Sequence, residues 1–587
     1  MWFFTLGGLL FNLHGQLRIK RVYYLQSGLY HESHGKVICV DSDHNGLNEL
    51  IFYTGTIYAT DPLRWEVWEH RPMNRYELVF ADTGAYPYPQ GITTGNFRPY
   101  DVGDIDRDSL IDLVGPNIDQ QQNYRLFYNV VSTQESPNYS YYPENLSWWY
   151  RYTNNAAISE PFYFTSDLDN DGNNEIIFAW DSIYLFENIS NNQNNLIFKG
   201  PPPANSFTFG DFDLDNRKEF ITAWMGSAGR VFVYENTLDN QFVLVYVDTT
   251  YRPNGSDVFS GQDLDGDGKP EFLVGFYSYP SSTHYLYKWE STGNNTYQRQ
   301  LIDQKVYSAD GPGRSKCGDI DGDGIEELVW ATPRRLYIYK AVGNDQFQQV
   351  WEWWQDHGTD DHLCVNIYDM NNNGYKEIVV GGSGKTSIFE IEVVRLLRPN
   401  GGEVFQDSTQ ELIRWQKFYP PRCDSLSLFY SINNGNTYNL ITHGLSGNDT
   451  SYLWTVPNVN SDSCKIKIIA YGPGWQYDES DGIFSITSTG INEITSPNRV
   501  AMTLGVKVYP SPAKSLSVIH YTLPVESKIS LQLYDISGRL IKTLVDVHKK
   551  PGNYSLTLNS RTLSAGVYFL SLETEEKRII ERIVIIK

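Results

Sequence analysis

Cysteine is scarce: five in 587 residues (Cys39, Cys317, Cys364, Cys423 and Cys464), none in a C-x-x-C pair, which excludes a disulfide-framework fold and a zinc ribbon. Long apolar runs are missing too, and with no stretch of about 18 apolar residues no membrane-spanning helix is expected. Basic residues are outnumbered, 47 Lys plus Arg against 70 Asp plus Glu, and a net charge of −23 argues against a nucleic-acid partner. Familiar catalytic signatures are also lacking. There is no G-x-S-x-G elbow. His31-Glu-Ser-His34 lacks the i, i+4 spacing of a zinc protease. Gly381-Gly-Ser-Gly-Lys-Thr386 has Val379 where a phosphate loop needs its first glycine. With 41% hydrophobic and 20% charged residues, the chain is ordinary folding material, long enough for about three to five domains.

What is there is a repeat. A nine-residue acidic motif begins at Asp41, Asp104, Asp167, Asp211, Asp263, Asp319 and Asp369, at spacings of 63, 63, 44, 52, 56 and 50 residues. The copies read DSDHNGLNE, DIDRDSLID, DLDNDGNNE, DFDLDNRKE, DLDGDGKPE, DIDGDGIEE and DMNNNGYKE. Side-chain oxygens at positions one, three and five point the same way along a tight loop. A small residue at six lets the chain turn back, and an acid at nine closes an oxygen cage suited to a hard cation such as Ca²⁺. An EF-hand loop would put its closing Glu at twelve and run into a helix; here short β-rich runs follow, such as residues 176–178, 272–274 and 378–380.

The candidate ligands are Asp41, Asp43, Asn45 and Glu49; Asp104, Asp106, Asp108 and Asp112; Asp167, Asp169, Asp171 and Glu175; Asp211, Asp213, Asp215 and Glu219; Asp263, Asp265, Asp267 and Glu271; Asp319, Asp321, Asp323 and Glu327; and Asp369, Asn371, Asn373 and Glu377. Up to seven Ca²⁺ are expected. The copies at Asp167, Asp263 and Asp319 are complete. Ser109 and Asn216 replace the glycine in two others, and the amides Asn45, Asn371 and Asn373 lower the charge, and so the expected affinity, of the first and seventh. Carboxylates at the motif's odd positions make up 25 of the 70 acids, and without them the net charge would be +2.

Each loop is followed by a second pair of aromatic-rich strand candidates, for example residues 65–68 and 76–80, 231–234 and 242–246, or 336–339 and 347–351. Four strands per period predict β-propeller blades. After the seventh loop only one further strand (387–391) is found, while residues 17–24 precede the first loop unpaired. The N-terminal strand is therefore expected to complete blade seven and remove its free edge. In a four-stranded meander the acidic loops share one face, and a ligand is to be sought on the other. There, residues 137–160, the connection from the fourth strand of blade two to the first of blade three, hold an aromatic cluster that includes Tyr141, Tyr142, Trp148, Trp149 and Tyr150, a candidate platform for sugar rings or a protein partner. Packing over the blade's own edge is the alternative reading of that cluster. Cys39 and Cys317 precede their first Asp by two residues and read as small buried hydrophobes.

On these motifs, residues 17–394 resemble the FG-GAP/VCBS repeat family, whose propellers include the head of integrin α-subunits. The resemblance implies an all-β, seven-bladed propeller acting as a non-catalytic, calcium-holding binding module. Residues 395–488 alternate strands and turns as a β-sandwich does. They are similar to Ig-like spacer domains of secreted bacterial proteins, with Pro399-Asn-Gly-Gly-Glu403 and the hairpin of residues 430–438; a Cys423–Cys464 disulfide is left open. Residues 489–500 read as a linker. Residues 501–587 carry 12 Lys plus Arg against 7 acids. They resemble the type A sorting domain of the type IX secretion system through residues 508–512 (VYPSP), 519–523 (IHYTL), 533–539 (LYDISGR), 563–569 (LSAGVYF) and 579–587, with Ser511 in place of the usual Asn. A flagellar-hook-capping-type Ig domain, which shares the Y-D-x-x-G-[RK] turn, is the alternative.

That resemblance implies contact with outer-membrane secretion machinery and a destination outside the bacterial cell. Residues 2–13 have the length of a secretory h-region but no basic n-region, so residues 1–16 read either as a signal peptide or as a buried strand. The expected protein is a secreted or surface-displayed monomer that binds an extracellular glycan or protein. A polysaccharide-degrading enzyme, lyase or glycosidase, on the same scaffold is the alternative.

Overall fold

The computed structural model describes residues 17–26, 37–54, 64–71, 75–82, 95–97, 100–105, 109, 111–119, 126–132, 146–151, 164–179, 182–190, 193–200, 206–224, 230–249, 255–278, 281–307, 311–354, 363–382, 385–418, 422–488, 504–509, 516–559, 563–574 and 577–586. Residues 1–16 and the linker 489–500 lie outside them. The described chain is all-β, strands without a helix, and divides into two compact units, residues 1–391 and 392–587.

The first unit is built from seven small antiparallel sheets in chain order. Sheet four shows the plan: Phe207–Gly210, Glu219–Trp224, Arg230–Leu238 and Gln241–Asp248, each paired with the next. Its second strand follows the acidic loop. The equivalent strands in sheets six and seven, Glu327–Thr332 and Glu377–Gly382, are buried at every residue, as their apolar runs require. Outer strands alternate instead, because one face meets the neighbouring sheet and the other meets water.

In sheet seven the strands Cys364–Tyr368, Glu377–Gly382 and Lys385–Ile391 are joined by Ile19–Gln26, antiparallel to the last of them. The N-terminal strand thus occupies the place expected of it. Consecutive sheets share apolar cores. Phe212, Ile221 and Val233 of sheet four pack with Val258, Phe272 and Trp289 of sheet five, whose Phe259, Leu273 and Leu286 in turn meet Leu328, Trp330 and Tyr337 of sheet six. Sheet one meets sheet seven in the same way, through Cys39, Leu50 and Phe52 against Met370, Val379 and Ile388.

Sheet two corrects an expectation. Leu146–Arg151 is its fourth strand, paired with Leu126–Ser132, so Trp148, Trp149 and Tyr150 lie in an edge strand rather than in a connection. Aromatic runs favour a strand over an irregular loop. Their side chains, and Tyr141 and Tyr142 altogether, lie outside what is described.

In the second unit, residues 394–487 form a three-stranded and a six-stranded sheet whose aromatic side chains meet, Trp454 lying 6.4 Å from Phe484 and 5.8 Å from Tyr430 between ring centroids. Cys423 and Cys464 are both free and buried, each thiol turned to a nearby carbonyl (Ser425 and Ser461, both at 3.7 Å), so the open disulfide is not formed. Residues 505–585 form a three-stranded and a four-stranded sheet around one apolar cluster, with Val506, Ile519 and Tyr521 from the first and Leu531, Leu570 and Ile583 from the second.

Candidate metal centres

Six of the seven acidic loops close in the same way, while in loop five, whose ladder stops at Ser260–Phe272, the Glu271 amide donates to the Gln262 carbonyl at 3.2 Å. The residue before position one pairs with position nine across the two strands, as in Val40–Glu49, Gly103–Asp112, Ser166–Glu175, Gly210–Glu219, Gly318–Glu327 and Tyr368–Glu377. Position six has positive φ in all seven copies, at Gly46, Ser109, Gly172, Asn216, Gly268, Gly324 and Gly374. This explains the small residue there, and Asn, with its short polar side chain, is the best non-glycine substitute. Position four is also left-handed in the six described copies, at His44, Asn170, Leu214, Gly266, Gly322 and Asn372, which the motif did not foretell.

Two hydrogen bonds recur seven times. The amide of position six donates to the first aspartate, at 2.9–3.1 Å from Gly46 to Asp41 through Gly374 to Asp369. The amide of position two donates to the acid at nine, at 2.5–2.9 Å. Each bond ties one carboxylate oxygen to the backbone; the other oxygen of the first aspartate has no partner among the described residues in loops one, two and three, whereas in Asp211, Asp263, Asp319 and Asp369 it accepts from the amides of Asp215, Gly266, Gly322 and Asn373. In the clusters Asp41-Asp43-Glu49, Asp167-Asp169-Glu175, Asp211-Asp213-Asp215-Glu219 and Asp263-Asp265-Asp267-Glu271, one oxygen per residue lies within 4.8 Å of all the others, a spacing able to hold a metal ion. Asp104 and Asp112 take their places in the second loop; Asp106 and Asp108 are outside the described residues.

The interior oxygens differ from loop to loop. In loops one, three and four the buried Oε1 of Glu49, Glu175 and Glu219 has no hydrogen-bond partner among the described residues, and neither has Asp41 Oδ1, Asp167 Oδ1 or Asp213 Oδ1. Burial, reinforced by the neighbouring aspartates, pushes the carboxyls of Glu49 up to about 8 and of Glu175 and Glu219 up to about 9. In loop five, where Lys288 lies nearby, burial raises Glu271 only to about 7.

A second ring of acids escaped the motif. The third-strand residue opposite position nine is Glu69, Glu187, Glu235 and Glu290 in sheets one, three, four and five, and the next pair beyond Ile378–Phe389 brings Glu390 to the same place in sheet seven. Glu69, Glu187, Glu235 and Glu390 are buried. The signal was present as an aromatic-Glu pair in the third strand of each (Trp68-Glu69, Phe186-Glu187, Tyr234-Glu235, Trp289-Glu290 and Phe389-Glu390), but one acid in a strand reads as solvated when taken alone.

Hairpin tips supply a third layer. The strand-three-to-four turn of one sheet reaches the loop of the sheet before it. The amides of Asn240, Asn295 and Asp345, all at positive φ, donate to Asp169, Asp213 and Asp265 at 2.9, 2.6 and 2.7 Å. Between sheets one and seven, Asn48 Nδ2 donates to the carbonyls of Asp369 and Met370, and Asn372 Nδ2 to that of Gly46, at 2.8, 3.2 and 3.0 Å.

Away from the loops, a groove of about 460 Å³ lies between sheets six and seven, lined in part by Tyr24, Arg21, Lys385, Trp351, Trp353 and Trp354. Trp354, which is 61% exposed, pairs with Arg335 at the far end of sheet six from Glu327. The groove therefore sits toward the face opposite the acidic loops. The sequence alone suggested a strand over residues 347–351 and gave no role to Trp353 and Trp354.

Comparison with known proteins fits this division of the chain. Residues 319–380, which span loops six and seven, match the FG-GAP-like repeat, and residues 507–586 match the secretion system C-terminal sorting domain. None of the curated proteins matches the chain. Among solved structures, it is similar to the fibronectin(III)-like modules of Clostridium thermocellum CbhA, at 15% identity over 33% of this chain and 94% of theirs with a TM-score of 0.13. It is also similar to the Photorhabdus luminescens Tc holotoxin pore, at 11% identity over 84% of this chain and 23% of that one with a TM-score of 0.25. A third, dimeric latent PorU from Porphyromonas gingivalis, is 11% identical over 68% and 36% of the two chains, with a TM-score of 0.15. These scores are too low to establish a shared fold. The chain carries an FG-GAP-like repeat and ends in a type IX sorting domain, which marks it as a protein delivered to the cell surface or the extracellular space.

Proposed function

We propose that residues 17–391 form a closed seven-bladed β-propeller whose acidic loops hold Ca²⁺, and that outside the cell it binds a saccharide or protein ligand without turning it over. The observation that carries the calcium reading is the set of buried oxygens on Glu49, Glu175 and Glu219 that have no hydrogen-bond partner among the described residues, each beside two or three aspartates. A buried carboxylate oxygen left unmatched is costly, and an all-oxygen donor set of this charge suits a hard divalent cation. The core shared by sheets one and seven supports closure. Residues 395–488 and 501–587 fit the reading as β-sandwiches, the first a spacer and the second the export signal.

Binding is supported by the groove beside Trp354, where exposed aromatic surface lies next to Arg21 and Lys385. The test is to incubate residues 17–488 with a panel of polysaccharides in millimolar calcium, scoring loss of protein from solution and release of new reducing or unsaturated ends. Loss without release, weakened by Trp354→Ala, is the expected outcome. Release of new ends would replace the binding reading with the enzymatic one.

A further inference from the structure

Sheet six departs from the pattern at one residue. The pair Leu328–Tyr339 brings Lys340, not a glutamate, opposite position nine of its loop. We infer that Lys340 stands in for the metal in the sixth loop, so that this loop, although its acidic motif is complete, takes no calcium. The inference rests on the calcium reading above and narrows it.

The Lys340 Nζ lies 2.5 Å from Asp321 Oδ2, 2.7 Å from Asp323 Oδ2 and 3.0 Å from Glu327 Oε1, the last close enough for an ion pair although not aligned as a hydrogen bond. These are positions three, five and nine, the residues whose interior oxygens would ligate an ion. Backbone amides satisfy the remaining oxygens. Asp319 accepts from Gly322 and Gly324, Asp321 Oδ1 from Asp323, Asp323 Oδ1 from Ile325, and Glu327 Oε2 from Ile320. Every oxygen of the four motif acids thus has a donor or an ammonium beside it. A divalent ion in the same cage would sit against a positive charge and would have to displace it.

The other loops grade around this one. Loop four, with Glu235 opposite, leaves Asp213 Oδ1 and Glu219 Oε1 open. Loop five is intermediate. Its Lys288 enters two residues earlier on the third strand, opposite Leu273, where sheets one, three and four have Val67, Leu185 and Val233. Lys288 is 3.1 Å from Asp265 Oδ2 and 3.5 Å from Glu271 Oε1, and it leaves Asp265 Oδ1 open. The ammonium thus comes closer to the position-nine carboxylate from loop five, at 3.5 Å, to loop six, at 3.0 Å, while in loop seven an amide fills Glu377 Oε1 instead, Asn371 Nδ2 at 2.6 Å.

The test is the calcium stoichiometry of the full chain by titration calorimetry, wild type against Lys340→Glu, which restores the glutamate found at this place in sheets one, three, four and five. The expected result is one more ion per molecule in the variant. An unchanged count on a wild type that does bind calcium overturns this inference alone; a wild type that binds none overturns the calcium reading and this inference with it. Should Lys340→Glu fail to fold, Lys340→Gln is melted in EDTA and in calcium. Its midpoint should fall in EDTA, and calcium should raise it by more than it raises that of the wild type, as one further cage gains a ligand. A rise in calcium no larger than that of the wild type overturns the inference.

Discussion

Loops four and six begin with nearly the same motif, DFDLDNRKE and DIDGDGIEE, yet they reach their shape by different means. In loop six the two left-handed positions are Gly322 and Gly324, which adopt such φ without steric cost; in loop four they are Leu214 and Asn216, and Leu214 holds φ of 62° with its side chain 55% exposed. Loop six meets its own charge with Lys340, whereas loop four has Glu235 in that place and leaves two interior oxygens open. One loop is neutralised by its own chain, and the other, on the proposed reading, is left to an ion. A count of acidic residues places them together, and what faces the acids tells them apart.

The comparison breaks most visibly at position nine. Glu327→Gln takes one of three carboxylates from the partly exposed Lys340 ammonium and is expected to cost about 2 kcal/mol, in calcium and in EDTA alike, as read by chemical denaturation. Glu219→Gln should lower stability only in calcium and raise it in EDTA, because it removes a carboxyl that burial keeps from ionising. Equal behaviour of the two variants in both buffers would dissolve the distinction between the loops.

Proton competition sharpens the same contrast. Glu49, raised to about 8, and Glu175 and Glu219, raised to about 9, are protonated in the metal-free fold at pH values where the unfolded chain has released those protons. Their contribution is full below the ordinary carboxylate range and is lost as pH rises toward 8 to 9. In EDTA the first unit should therefore melt progressively lower from pH 5 to pH 9, and the gap opened by calcium should widen over that window. A gap independent of pH would count against ionised glutamates as the ligands. The smallest effect belongs to the backbone: Leu214→Gly should stabilise by up to about 1 kcal/mol through relief of the left-handed strain, while a substitution at the glycine-built turn of loop six, Gly322→Leu, should cost a similar amount.

Much of this was legible in the sequence. The acidic motif located every strand-one-to-two loop, and the unmatched strand at residues 17–24 located its partner in sheet seven. The motif could not show what it meets. Lys288 and Lys340 are separated from their acids by a strand and a turn, so only the register brings them together. The buried Glu69, Glu187, Glu235 and Glu390 were hidden for the same reason. Trp148, Trp149 and Tyr150 were placed in a connection because they follow a long polar stretch, although their own composition favours a strand.

The hairpin tips have a mechanical consequence. Asp169, Asp213 and Asp265 each belong to the loop of one sheet while bonding the backbone amide of the next, at Asn240, Asn295 and Asp345. Under shear at a cell surface, tension across one of these seams passes through the same carboxylate that shapes the cage, so sheets cannot part without loosening the cage, nor the cage loosen without slackening the seam. Each of these three loops is in effect a rivet through two plates.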